Sequence, residues 1–92
     1  MRLIYRTQDG QADYSFSFEP QSNGEIYIYI FKQPSYQGRN EDAHATHRYT
    51  DSRDGRKYIC REPQPRTESD ARKVAAAWAD LTQEYIRSGK KF

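Results

Sequence analysis

The chain has 92 residues, of which 35% are hydrophobic, 30% charged and 14% aromatic, and its net charge is +2. This length excludes a two-domain enzyme, a full Rossmann unit with a substrate domain and a TIM barrel. Disordered chains are poor in aromatic residues, so eight tyrosines and four phenylalanines indicate a folded protein.

The lack of long apolar segments and the single cysteine narrow the class of protein further. The first residues contain no apolar segment of signal-peptide length, and no apolar run approaches the ~20 residues that span a bilayer. The single cysteine, Cys60, excludes an internal disulfide. We therefore expect a cytoplasmic protein without membrane contact. Its net charge rises from −1 over residues 1–38 to +2 over residues 39–66, which also hold both histidines.

The first half of the chain alternates apolar and polar residues with period two. This pattern predicts antiparallel strands at residues 2–7, 12–19 and 25–32. An Asp-Gly pair and an Asn-Gly pair separate them, and both favour tight hairpin turns. In the second strand Tyr14, Phe16 and Phe18 share one face. In the third strand three isoleucines alternate with aromatic side chains.

Residues 33–43 are polar, contain proline and glycine, and predict a long loop of the kind that is often functional or mobile. A second hairpin is expected after it, with strands at residues 45–50 and 56–61. The intervening turn has the sequence Asp-Ser-Arg-Asp-Gly.

Residues 68–88 predict the long helix of the chain. Thr67 is placed to cap its first turn, and Gly89 suits the position after its last turn. Apolar and small residues recur with helical spacing and predict one buried stripe. This stripe consists of Ala71, Val74, Ala75, Trp78, Leu81, Thr82 and Tyr85.

This order of elements predicts an α+β fold over residues 1–92, with a single antiparallel sheet of about five strands packed on one C-terminal helix. The helix is expected to cover the Tyr14, Phe16 and Phe18 face together with the isoleucines. The opposite face of the sheet would then be uncovered. It would carry Ser15, Ser17, Tyr27, Tyr29 and Phe31.

An uncovered aromatic face has three interpretations. It can stack single-stranded bases, or anchor a protein interface, where tyrosine is enriched. It can also reflect only that tyrosine and phenylalanine form strands well. Similarly, the basic residues around the second hairpin could contact a phosphate backbone or form local ion pairs in solvent. These residues are Arg48, Arg53, Arg56, Lys57 and Arg61.

His44 and His47 raise the question of a metal site or an acid–base nuclease, with Glu41 and an arginine as further groups. In an extended segment, however, histidines three residues apart point to opposite faces, and no second cluster supplies ligands. No P-loop, GxSxG, HExxH or paired CxxC motif occurs. We therefore assign no catalytic residue, no metal and no cofactor.

The segment 68–78, Glu-Ser-Asp-Ala-Arg-Lys-Val-Ala-Ala-Ala-Trp, resembles the terminal helix of arm-type DNA-binding domains in phage integrases. It is also similar to the last helix of double-stranded-RNA-binding domains. Both families place such a helix behind a small antiparallel sheet. The whole chain resembles phage-encoded anti-CRISPR proteins that inhibit type I surveillance complexes, in being small, without catalytic motifs and rich in surface charges and tyrosines. This resemblance implies stoichiometric inhibition by binding.

The sequence thus predicts a non-enzymatic binding protein, and the resemblance implies an inhibitor of a host CRISPR surveillance ribonucleoprotein complex. The alternatives are a small DNA- or RNA-binding module and a small nuclease or toxin. The aromatic face could also pair two copies in a homodimer. The predicted partner-binding residues are Arg39, Arg48, Arg53, Arg56, Lys57, Tyr27, Tyr29 and Tyr36.

Overall fold

The strands and helices are seen in a computed structural model that describes all residues from 1 to 92. They are β1 (Arg2–Arg6), β2 (Asp13–Pro20), β3 (Ile26–Lys32), α1 (Ala43–Thr46), β4 (Arg48–Thr50), β5 (Lys57–Ile59) and α2 (Glu68–Ser88). The strands form one antiparallel sheet in the order β1-β2-β3-β5-β4. The predicted α+β fold is confirmed, and α2 has the predicted bounds.

The strand predicted at residues 45–50 is wrong in its first half. Residues 43–46 form a helical turn, because the Asp42 side chain accepts a hydrogen bond from the Ala45 N–H at 2.8 Å and caps it. His47 then takes a left-handed conformation, with φ of 53°, and turns the chain into β4. The local cap thus overrides the weak alternation. The partner strand is also shorter than predicted, covering residues 57–59 instead of 56–61.

The main core lies between α2 and one face of the sheet. The rings of Tyr14 and Phe16 each meet the Trp78 ring edge-on, with centroids 6.0 Å apart. Small side chains on α2 allow this close approach. As predicted, the helix covers the Tyr14, Phe16, Phe18 and isoleucine face. The fully assembled cluster contains Tyr14, Phe16, Phe18, Ile26, Ile28, Ile59, Ala71, Ala75, Trp78 and Ala79.

A second, smaller core holds the residues 33–46 against the C-terminal half of α2. It contains Tyr36, Ala45, Tyr85 and Ile86. This packing rotates the buried stripe of α2 away from the predicted one. Leu81, predicted to be buried, is 46% exposed, whereas Ala79 and Ile86 are buried. The reason is that residues 36–45 cover one flank of the helix and leave the other open.

Neither helix combines the length and the apolar character that are needed to cross a bilayer.

Candidate interaction surface

The sheet face opposite α2 carries no covering layer, and we call it the open face. Strand pairing aligns one continuous row of its side chains across all five strands. From β1 to β4 this row is Arg2, Ser17, Tyr29, Tyr58 and Tyr49. The expectation that Ser17, Tyr27 and Tyr29 share this face is therefore confirmed by the register.

Four tyrosines form a contiguous aromatic cluster at the β3-β5-β4 side of the open face. Tyr27 and Tyr58 stack with ring centroids 4.7 Å apart and planes 17° apart. Tyr29 and Tyr49 each approach Tyr58 with centroids at 5.7 Å. Tyr49 lies at the sheet edge and is 46% exposed. The cluster is held together by cross-strand contacts and presents its outer rings to solvent.

Tyr29 is not the exposed anchor that the sequence suggested, because it is only 2% exposed. The rings of Tyr27 and Tyr58 flank it, and the Arg56 guanidinium carbon lies 3.9 Å from its ring centroid. Its hydroxyl donates to the Asp51 carboxylate at 2.7 Å. Burial, together with this hydrogen bond, raises the pKa of Tyr29 to about 12. Tyr29 is therefore a buried member of the cluster, and the more exposed tyrosine rings pack against it.

The two arginines of the β4–β5 turn are engaged within the chain. Arg53 donates to Asp51 through Nη2 at 2.9 Å and to the Tyr29 hydroxyl at 3.2 Å. Arg56 binds Glu19 across the sheet at 2.5 Å and Asp54 at 2.7 Å. This arrangement favours local ion pairs over a free basic hairpin. The Arg56 guanidinium also holds the pKa of Glu19 below its ordinary value.

Between β1 and β3, the small side chain of Ser17 on β2 leaves a recess in the open face. We call it the serine trough, and its volume is about 290 Å³. Ser17 lies in it between Arg2 on β1 and Tyr29 on β3, and Phe31 and Arg56 also line it. The Arg2 guanidinium carbon lies 3.8 Å from the centroid of the Phe31 ring, and Arg2 forms no salt bridge. The trough is thus bordered by two guanidinium groups, each of which stacks on an aromatic ring.

Two large apolar side chains next to the trough are exposed. Ile4 on β1 is 72% exposed, and Phe31 on β3 is 60% exposed. Phe31 lies where the β2–β3 register shifts, so it has no direct cross-strand partner. The residues predicted to bind a partner do not include Ile4 or Arg2. The signal that could have found them is the pairing of β1 with the serine-bearing strand, which puts both on the open face.

Three further predicted residues lie away from the open face, two in the segment that packs against α2 and one at the start of β4. Tyr36 is buried against Tyr85, which corrects its assignment as an exposed anchor. The Arg48 side chain is largely buried, with its guanidinium over the Tyr36 ring at 4.9 Å. Arg39 donates to the carbonyl of Ile86. The long loop is therefore fixed to the helix, since the Tyr85 hydroxyl also donates to the Asn40 carbonyl at 2.8 Å.

Lys57 lies on β5 but is not part of the row, and its Nζ donates to the Thr50 hydroxyl at 2.5 Å. The structure thus gathers Tyr27, Tyr29, Arg53 and Arg56 at one surface, whereas Tyr36, Arg39 and Arg48 form another group. That any of these residues contacts a partner stays a prediction.

Neither histidine forms a salt bridge with an acidic side chain. His44 is exposed on α1, and the His47 ring packs on Phe92 with centroids 4.6 Å apart. Glu41 is paired instead with Arg48. No three histidine, cysteine or acidic side chains are grouped so that they could hold a metal ion.

Comparisons with protein-family models, with curated proteins and with solved structures find no significant match to this chain.

Proposed function

We propose that this protein is a non-enzymatic binding protein that docks its open face on a protein component of a host ribonucleoprotein complex. The observation that carries the proposal is the row across all five strands, which ends in the exposed Tyr49 and has the exposed Phe31 and Ile4 beside it. Buried aromatic and arginine side chains dominate the binding energy of protein interfaces. The open face offers both, already held in position by the sheet.

The charge pattern of the open face favours a protein over a nucleic-acid backbone. Glu19, Asp51 and Asp54 lie directly against its arginines. A phosphate backbone would be repelled by these carboxylates, whereas a protein surface of mixed charge can complement them. The stacks of Arg2 on Phe31 and of Arg56 on Tyr29 add flat contact area at little cost in side-chain entropy.

The absence of catalytic function is part of the proposal. It is supported by the contacts of these residues, since Glu41 pairs with Arg48 and the His47 ring packs on Phe92, whereas general acid–base catalysis needs such groups within hydrogen-bond reach of one substrate. The resemblance to type I anti-CRISPR proteins names the partner to test first, a type I surveillance complex. In this proposal the protein acts as a stoichiometric inhibitor in the cytoplasm of the host cell.

The experiment titrates a purified type I surveillance complex with the protein and follows target-DNA binding by fluorescence anisotropy. We expect target binding to be lost at stoichiometric protein. The variant F31S/Y49S removes two exposed rings of the open face and should inhibit at least about tenfold more weakly. L81S is the matched control, because Leu81 is as exposed as Tyr49 but lies on α2.

Three outcomes would contradict the proposal. Full target binding in the presence of excess protein removes the inhibitor function for the complexes tested. Equal inhibition by F31S/Y49S and wild type would show that the open face is not the interface. A wild-type dimer that F31S/Y49S converts to a monomer, measured by sedimentation velocity, assigns the open face to self-association instead.

A further inference from the structure

A second surface, separate from the open face, gathers free positive charge. A pocket of about 460 Å³ lies between the segment 61–66 and the first two turns of α2. Three of its lining residues are the cations Arg61, Arg66 and Lys73, and one is the anion Asp70. The pocket shares no residue with the serine trough.

These three cations differ from most arginines of the chain in having no acidic partner. Every salt bridge in the structure uses another arginine. These arginines are Arg6, Arg48, Arg53, Arg56, Arg72 and Arg87. Arg61 and Lys73 form no side-chain hydrogen bond, and Arg66 donates only to the Asn23 carbonyl, at 3.0 Å. The lining therefore holds three cations and one anion, a net charge of +2, and none of the three cations forms a salt bridge.

The wall of the pocket is held in place by the sheet. The Ile26 N–H donates to the Pro65 carbonyl at 2.7 Å. The Gln64 side chain donates to the Ile59 carbonyl at 3.0 Å, and Gln64 and Pro65 are both buried. A ligand would meet cations on a fixed backbone, so binding would order the cationic side chains but require little ordering of the backbone.

We propose that this pocket binds a phosphate group. Guanidinium groups match the oxygens of a phosphate in pairs, and a lysine ammonium adds a compact third charge. Three cations exceed what a single carboxylate requires, whereas a phosphate offers several acceptor oxygens and up to two negative charges. The group can belong to a nucleic-acid strand or to a small phosphorylated molecule, and both present the same chemistry.

The test is a titration followed by NMR on the ¹⁵N-labelled full chain at low ionic strength. Two probes separate the sources: pyrophosphate and an unstructured single-stranded RNA. We expect at least one probe to shift the amide signals around Arg61, Arg66 and Lys73. The variant R61Q/K73Q should bind that probe at least about tenfold more weakly. The control R72Q/R87Q removes the same charge from α2, but at arginines that already have acidic partners.

Removal of the Asp70 charge should change the affinity in the opposite direction from removal of the cations. It is the one acid lining the pocket and its carboxylate has no salt-bridge partner, so D70N should tighten binding by a few fold. D70N also removes a favourable charge from the first turn of α2, so its stability should fall slightly. If D70N only disturbed the fold, binding would weaken together with stability. Tighter binding in a less stable variant therefore indicates that the Asp70 charge opposes the ligand.

Binding of RNA alone assigns the pocket to a nucleic-acid backbone, and binding of pyrophosphate alone assigns it to a small phosphorylated ligand. Either result, and binding of both probes, supports the proposal if R61Q/K73Q weakens it. Binding of neither probe overturns it. An equal loss in R72Q/R87Q also overturns it, because the attraction would then reflect only net charge. Circular dichroism of each variant checks that the chain is folded.

Discussion

At the residue scale, the Asp51 carboxylate joins the β4–β5 turn to the open face. It is 6% exposed and accepts hydrogen bonds from the Arg53 side chain, the Arg53 backbone N–H and the Tyr29 hydroxyl. The Arg53 guanidinium contributes most to holding the pKa of Asp51 well below its usual range. Such a group stabilises the fold above its unfolded pKa and loses this contribution as the pH falls towards its folded pKa.

We therefore predict that D51N lowers the stability of the protein near neutral pH and makes it less sensitive to acid. Wild type should lose stability as the pH falls below about 4, the unfolded pKa of an aspartate. D51N should lose less over the same range, because it has no proton to take up at this position. Urea midpoints at about pH 6 and about pH 2 measure the difference. An equal loss in both proteins would contradict the assigned role of Asp51.

At the element scale, α2 approaches the sheet closely because its buried face carries alanines. Ala71, Ala75 and Ala79 are fully buried, directly beside the Trp78 ring. Ala77, by contrast, is exposed. Within one run of three alanines, residues 75–77, the first side chain thus packs under the sheet and the last faces solvent. Because leucine forms helices nearly as well as alanine, helix propensity hardly distinguishes the two sites.

We predict that A75L destabilises the protein by about 1–3 kcal/mol, because a larger side chain at a filled position forces the helix away from the sheet. A77L is the matched control and should change the free energy of unfolding by less than about 0.5 kcal/mol. Chemical denaturation of the two variants measures both values. Similar destabilisation by the two leucines would mean that α2 does not pack through the Ala71–Ala75–Ala79 face.

At the scale of the whole molecule, two hydrophobic clusters share one long helix. The Trp78 indole N–H donates to the Thr46 carbonyl at 3.1 Å, and so ties the main core to α1. Phe92 packs against both clusters. These contacts couple the residues 33–46 to the sheet. We therefore expect the two clusters to unfold together.

The variant I86A tests this coupling. Ile86 is buried in the smaller cluster, and its truncation should cost about 2–5 kcal/mol. Trp78 fluorescence, which reports on the main core, and far-UV circular dichroism should show one coincident transition at a lower denaturant midpoint. L81A, at an exposed position of the same helix, should leave the midpoint nearly unchanged. Separate transitions by the two probes would show that the smaller cluster unfolds independently.

Local pattern was enough to predict most of the fold. The alternation of Tyr14, Phe16 and Phe18 with serines defines which side of β2 is buried, because a strand has a side-chain period of two. The cap at Thr67 and the glycine at residue 89 define both ends of α2. The open aromatic face follows from the same rules, since one helix can cover only one side of a five-stranded sheet.

Contacts between segments distant in sequence determine which residues of the candidate site are exposed and which charges pair. The sequence by itself determined that Tyr27 and Tyr29 share one face of β3, through strand period, and that Arg53 and Arg56 lie together on the second hairpin. Only the tertiary structure decided that Tyr29 is buried and that Arg56 pairs with Glu19, 37 residues away. It also decided that Arg61 and Lys73 have no acidic partner. Which charges pair depends on the order of strands and on helix placement, and these long-range arrangements have no local sequence signal.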